Sequence, residues 1–328
     1  MNRRQFLTVV GAASVWPLAA LPQPAGEVRQ VGVFMDIPPA DLRNVRQVAA
    51  LREELEKLGW REGQNVTFLV RSSEGEPKQL KAVAHELIAR KPDVVVAHGS
   101  GPLSILLEET HALPIVFVQV TDPVGRGFIE SLAHPGGNAT GFSNLDGRHA
   151  GKLVQTLTEI APNTRRVLLL GQRKTSAMDL FFSELTPLAS SLSVEVAAAP
   201  VSSVSEIETV LAPLTNESGY GLLVMPDIFT SNNRNAIIEL AARQRLPAIY
   251  PFRVFVENGG LVSYGNEPTG QFRQAASYVH RLLNGVKPGD LPVQQPTTFE
   301  LVINLKTADA LGLTVSPSLL GRADAVIE

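Results

Sequence analysis

Hydroxyl and carboxylate groups in turn-forming settings are where the chemistry of this chain would lie. Ser100 stands between Gly99 and Gly101, Asp122 precedes Pro123, and Asp227 follows Pro226. None of these assembles into an enzyme by spacing. A nucleophile elbow needs glycine two residues before and two after the serine, and His98 and Pro102 occupy those places. Gly125-Arg126-Gly127 lacks the third glycine and the strand-to-helix setting of a dinucleotide fingerprint, and Gly171 to Ser176 is no phosphate loop. The histidines, His85, His98, His111, His134, His149 and His280, never fall at ligand spacing, so neither a metal nor a cofactor is expected. What the polar groups share is position. Asp36, His98 with Ser100, Thr121 with Asp122, and Asp227 each follow a short apolar run, and Tyr250-Pro251-Phe252 adds an aromatic wall at a further run's end. Each polar group alone reads more readily as a cap or turn residue than as a ligand contact. Their convergence at strand exits makes a ligand cleft the stronger expectation, because open α/β sheets bind ligands at the carboxyl ends of their strands.

The elements that must carry these residues alternate regularly. Val28 to Met35 is a β-rich run, and Val45, Val48, Leu51, Leu55 and Leu58 then recur at helical spacing until Gly59. Val66 to Val70, Asp93 to Ala97 and Ile115 to Val120 are the following strands, separated by a helix through Leu80 to Ile88 and another expected from Leu103. After Gly141 the alternation begins again, with strands at Val167–Leu170, Val194–Ala198, Gly221–Met225 and after Pro247, and helices between them. Strand, polar loop, helix, Leu-Pro, strand occurs at 94–120 and again at 222–250, which predicts two similar lobes. The fold expected is α/β, two doubly wound parallel-sheet lobes joined by a hinge of three crossings near 142, 264 and 292. The expected division is 27–142 plus 265–291 for the N-terminal lobe and 143–264 plus 292–328 for the C-terminal lobe.

Composition narrows the partners. The 328 residues are 44% hydrophobic and 19% charged, as in a globular protein with a sizeable core, and the net charge of −3 offers nothing to nucleic acid. The absence of cysteine excludes disulfides and thiolate chemistry. Residues 1–26 begin with Arg3-Arg4 and continue as an apolar run from Phe6 to Ala20, too short to span a bilayer comfortably. A signal peptide is expected, cut after Ala20 or Ala25, and Arg3-Arg4 followed by Gln5-Phe6-Leu7 resembles a twin-arginine export signal.

Asp122 to Phe142 reads D-P-V-G-R-G-F-I-E-S-L-A-H-P-G-G-N-A-T-G-F, and Leu291 to Leu313 reads L-P-V-Q-Q-P-T-T-F-E-L-V-I-N-L-K-T-A-D-A-L-G-L before a P-S-L-L-G-R-A-D-A-V-I-E tail. Both blocks resemble the periplasmic ABC-transporter substrate-binding proteins of the tryptophan/tyrosine type, and the resemblance runs the length of the chain. It implies the type I periplasmic binding fold, an amino-acid-like ligand, an inner-membrane permease as partner and a periplasmic location; a monomer is expected. It also implies that Asp227, matching an acid of relatives with amino-acid ligands, receives the ligand's ammonium, with Ser100 and Thr121 serving its carboxylate. Two alternatives stand beside it: a periplasmic sensor that passes its liganded form to a receptor, and an exported enzyme with a base near Asp122 or Asp227, for which no orienting third group is evident.

Overall fold

The structure is a computed structural model, described here for residues 28–74, 76–144, 149–173, 176–216 and 219–328; the expected signal peptide lies outside them. The first half alternates strand and helix: β1 (Arg29–Met35), α1 (Leu42–Lys57), β2 (Val66–Ser72), α2 (Pro77–Ala89), β3 (Val94–His98), α3 (Ser100–Glu109), β4 (Ile115–Val120) and β5 (Ala139–Ser143). Its five strands form one parallel sheet in the order β2-β1-β3-β4-β5. β1, β3 and β4 read as nearly unbroken apolar runs because helices cover both faces.

The second half continues with α4 (His149–Ile160), β6 (Arg166–Gln172), α5 (Ser176–Leu185), β7 (Glu195–Val201), α6 (Val204–Leu211) and β8 (Tyr220–Val224). Then come α7 (Ile228–Asn232), α8 (Arg234–Arg243), β9 (Ala248–Tyr250), α9 (Arg253–Glu257) and β10 (Val262–Gly265). The chain ends with α10 (Pro268–Leu283), β11 (Glu300–Asn304), α11 (Leu305–Ala310), α12 (Pro317–Leu320) and β12 (Ala325–Ile327). Seven strands make the second sheet, in the order β12-β11-β10-β9-β8-β6-β7, parallel except where β11 runs against β10. The two sheets are the two α/β lobes of a type I periplasmic binding fold.

Three strand-to-element passages join the lobes. β5 belongs to the first sheet and α4 packs on the second. β10 belongs to the second sheet, yet α10 buries Phe272, Ala275, Ala276 and Val279 against Val33, Val96 and Val118 of the first. Each large apolar side chain so buried contributes about 1.5–3 kcal/mol, which ties α10 firmly to the N-terminal lobe. Leu291 lies in that same core, and β11 returns to the second sheet. The first and third passages run side by side: Ser143 donates its amide to Gln294 O at 2.9 Å, and Gln294 donates to Gly141 O at 2.9 Å. Gly141 is required here, since a Cβ at its φ of 151° would stand 2.0 Å from the Phe117 carbonyl oxygen.

Several elements differ from the sequence reading. α1 turns Val45 and Leu58 to solvent and buries Asn44 and Gln47, because its first turn lies over the β1 exit, where Asn44 donates to Ile37 O at 2.9 Å. α3 begins at Ser100, three residues before the expected start, since Pro102 is tolerated in a first turn that needs no amide donor there. β5, β11, β12 and the single-turn α7 are additional elements, too short for periodicity to mark.

Candidate functional site, an interlobe cleft

A cavity of about 810 Å³ lies between the lobes, a volume suited to a small organic molecule. Its wall brings together Asp36, His98, Ser100, Thr121 and Asp227, all from strand exits. Asp36, at the end of β1, is 6% exposed and accepts the Ser73 hydroxyl. Its second oxygen lies against the start of α3, 3.2 Å from where a Gly101 Cβ would stand. Asp36 therefore places a carboxyl oxygen beside a helix N-terminus that no side chain caps by a hydrogen bond among the described residues.

His98 ends β3 and is 3% exposed, with its ring 5.8 Å from that of Phe272. Burial, and after it the positive charge of Arg43, depress its pKa to about 3, so the imidazole is neutral at any physiological pH. Its Nδ1 has no hydrogen-bond partner among the described residues. Gly99 follows with φ 85°, and an added Cβ would stand 3.2 Å from Ile228 of the opposite lobe, so the lobes touch at this glycine. Ser100 is half-buried, and among the described residues no hydrogen bond joins its hydroxyl to His98.

Thr121, after β4, donates its hydroxyl to Asn144 Oδ1 at 2.7 Å and lies 3.4 Å from Pro226 O across the cleft. That hydroxyl hydrogen is committed to the hinge; only its acceptor side faces elsewhere. Asp227 is half-buried and caps α7: Oδ1 accepts from the Thr230 amide at 2.7 Å and Oδ2 from the Gln172 amide at 2.8 Å. Burial raises its pKa, and these amides, which favour the charged form, leave it at about 6. The expected unpaired carboxylate is thus a carboxylate held by its own lobe, with lone pairs left for a further donor.

Two expected residues are not on this wall. Asp122, with φ 50°, turns its carboxylate back to the Gly125 amide at 2.9 Å and serves the turn. Tyr250 is 1% exposed and stacks on Phe255 at 5.1 Å in the C-terminal core; Phe229 and Phe252 are the aromatic groups on the cavity. Sequence reasoning passed over Asn266 and Arg126, which line it as well. Asn266 follows the end of β10, so the same strand-exit rule could have found it.

The cleft's mouth is closed by protein alone. Asp41 caps α1, accepting the Arg43 amide at 2.9 Å and its guanidinium at 2.7 Å, and Arg234 of the opposite lobe approaches it at 3.4 Å. Burial pushes the Asp41 carboxyl up, but the Arg43 bonds with the Arg43 and Arg234 charges outweigh it and hold the pKa at about 2. Arg43 also donates to Asn232 Oδ1 at 3.1 Å, and Asn232 Nδ2 lies 3.4 Å from Asp36 O. At the back, Asn144 Nδ2 donates to Pro226 O at 3.3 Å.

Two sheet lobes facing one another across a cavity of this size are the arrangement of a solute-binding protein. Residues 33–327 match the family of ABC transporter substrate binding proteins, and the chain belongs to that family. It is 25% identical over 260 residues to a tyrosine-binding protein of Clostridioides difficile, covering 79% of this chain and 74% of that one. The structure is similar to that of an ABC domain in complex with L-Trp from Streptococcus pneumonia, with TM-score 0.84, 25% identity and coverage of 91% of this chain and 99% of that one. It is also similar to a conserved domain protein from Vibrio cholerae, with TM-score 0.83, 26% identity and coverage of 92% and 100%.

Proposed function

We propose that this chain is the solute-capturing component of an ABC importer, exported to the periplasm by its N-terminal signal and working there as a monomer that delivers its ligand to an inner-membrane permease. The lobes that close on the ligand are 27–142 plus 265–291 and 143–264 plus 292–328. The observation that carries the reading is the convergence of strand exits from both lobes on one cavity. The ligand is a small amino acid or a close analogue. Asp227 receives its ammonium group by a charge-assisted hydrogen bond, Ser100 offers the first lobe's free hydroxyl, and Asp36, His98 and Thr121 fix the shape of the wall. Phe229 and Phe252 would accommodate an apolar or aromatic side chain, in keeping with relatives named for tyrosine or solved with L-Trp. A thermal-shift screen of amino acids, aromatic acids and sugars, followed by calorimetry on the hits, tests this directly, because a ligand that binds only the folded state raises the melting midpoint. Stabilisation by an amino acid at a stoichiometry of about one per chain is expected; turnover of the compound or binding of none would overturn the reading. Fractionation alongside periplasmic markers tests export, and recovery in the cytosolic fraction alone would contradict it.

A further inference from the structure

Arginines dominate the basic groups on the cavity wall, and three of them are neutralised by the protein. Arg43 pairs with Asp41, Arg173 with Glu206, and Arg253 with Glu257 and Glu300. Arg46 is exposed to solvent. Arg126 is different: it is half-buried in the loop after β4, and among the described residues its guanidinium makes no hydrogen bond and no ion pair. The Phe128 ring lies beneath it, 5.0 Å from the guanidinium carbon. Asp122 is the acid nearest in sequence, but its carboxylate is bound to the Gly125 amide and forms no pair with Arg126. Burial lowers the pKa of Arg126 and the Asp122 charge offsets only part of this, so a half-buried guanidinium is left with no hydrogen-bonded acid among the described residues.

Asn266 presents a second, independent deficit on the same cavity. Among the described residues three buried side chains there have an unpartnered polar atom, and Gln47 and His98 lack a partner at one atom each. Asn266, 5% exposed, lacks one at both Oδ1 and Nδ2. Its backbone is fixed on either side: a Cβ on Gly265 would overlap the Pro251 carbonyl oxygen at 1.7 Å, and Glu267 caps α10 through the Thr269 amide at 2.8 Å. A side-chain amide offers one acceptor and two donors, so it is satisfied by a group that presents an acceptor beside a donor.

We infer that Arg126 and Asn266 are the specificity-determining pair of the cleft: Arg126 receives a ligand carboxylate, and Asn266 accepts from an amine or hydroxyl next to that carboxylate while donating to one of its oxygens. This rests on the cleft being the solute site. It narrows the ligand class to α-amino or α-hydroxy acids and rejects neutral sugars and amines without a carboxylate. The test is a panel of L-amino acids, their α-hydroxy analogues, their carboxamides, their decarboxylated amines and neutral monosaccharides, measured by thermal shift and calorimetry on wild type, Arg126→Gln, Arg126→Lys, Asn266→Ala and Asp227→Asn. Compounds that stabilise the wild type should all carry the carboxylate. The carboxamide of the best of them should bind roughly thirtyfold more weakly, Arg126→Gln should lose that discrimination, and Arg126→Lys should keep part of it. Asn266→Ala should weaken binding about tenfold without lowering the ligand-free melting temperature, which a merely structural asparagine would do. Carboxylate-free hits, a wild type stabilised by no carboxylate, or equal binding by Arg126→Gln overturns the inference. A sugar as the sole hit does so while leaving the solute site intact. Amino acids that need Arg126 but are indifferent to Asp227→Asn would instead uphold it and remove the ammonium role of Asp227.

Discussion

The mouth of the cleft and its interior are built on opposite terms. At the mouth, Asp41, Arg43, Asn232 and Arg234 bond one another across the lobes, and among the described residues Arg234 Nε has no partner. In the interior, His98 Nδ1, both amide atoms of Asn266 and the guanidinium of Arg126 have none among the described residues. The mouth therefore joins the lobes through the protein's own groups, whereas the interior presents polar groups to the molecule the cleft binds. A ligand that engages those groups from both lobes shifts the population toward closure by its differential affinity for that state. Closing strength and chemical selectivity thus reside in different residues, and each can be altered alone.

The largest effect is expected where the lobes touch. Gly99→Val places a β-branched side chain at a φ of 85° and against Ile228 of the other lobe, so it strains the β3–α3 turn and wedges the cleft. Ligand affinity should fall by roughly a hundredfold or more, with a lowered melting temperature, in calorimetry and thermal melts. Retained affinity would mean that the lobes need not meet there.

Asp227→Asn should reduce affinity for an amino-bearing ligand about ten- to a hundredfold, and it should also shift the melting temperature, since it removes a buried charge and turns an NH2 group toward one of the two amides that Asp227 accepts. The pH dependence sharpens this. With its folded pKa raised from 3.8 to about 6, Asp227 binds its proton more tightly in the folded state, so its cost to stability is full above about pH 6 and is relieved as pH falls toward the unfolded value. Ammonium binding requires the charged form, so wild-type affinity should weaken as pH drops below about 6, whereas Asp227→Asn should be flat over the same range. A parallel decline in both proteins would assign the effect to another group.

A smaller effect is expected at the mouth. Arg234→Ala removes one partly exposed ion pair, worth about 1 kcal/mol or less, and should weaken binding only severalfold with no change in which ligands are preferred. A change in preference would undo the separation between mouth and interior.

Much of this architecture is legible in the sequence because buried parallel strands are continuous apolar runs and their exits are marked by proline, glycine and acids. Asp36, His98, Ser100, Thr121 and Asp227 reach the cavity for that reason. Asp122 and Tyr250 fall away from it for reasons that become visible only in three dimensions: a left-handed backbone at Asp122 folds its carboxylate into its own loop, and Tyr250 faces the core side of β9. The helix that Asp227 caps is a single turn, below what periodicity resolves. Arg126 and Asn266 carry no local signal of being unpartnered, since that depends on what fails to reach them from elsewhere in the fold. The pairing of Asp41 with Arg234, 193 residues apart, is equally a property of closure rather than of either segment.

Solution scattering of the mature chain with and without a calorimetrically verified ligand tests the central claim most directly. Closure of the lobes on a ligand that completes the interior should reduce the radius of gyration, and Gly99→Val should abolish the reduction. Superimposable curves at saturating ligand would contradict a cleft that closes to complete its own unsatisfied wall.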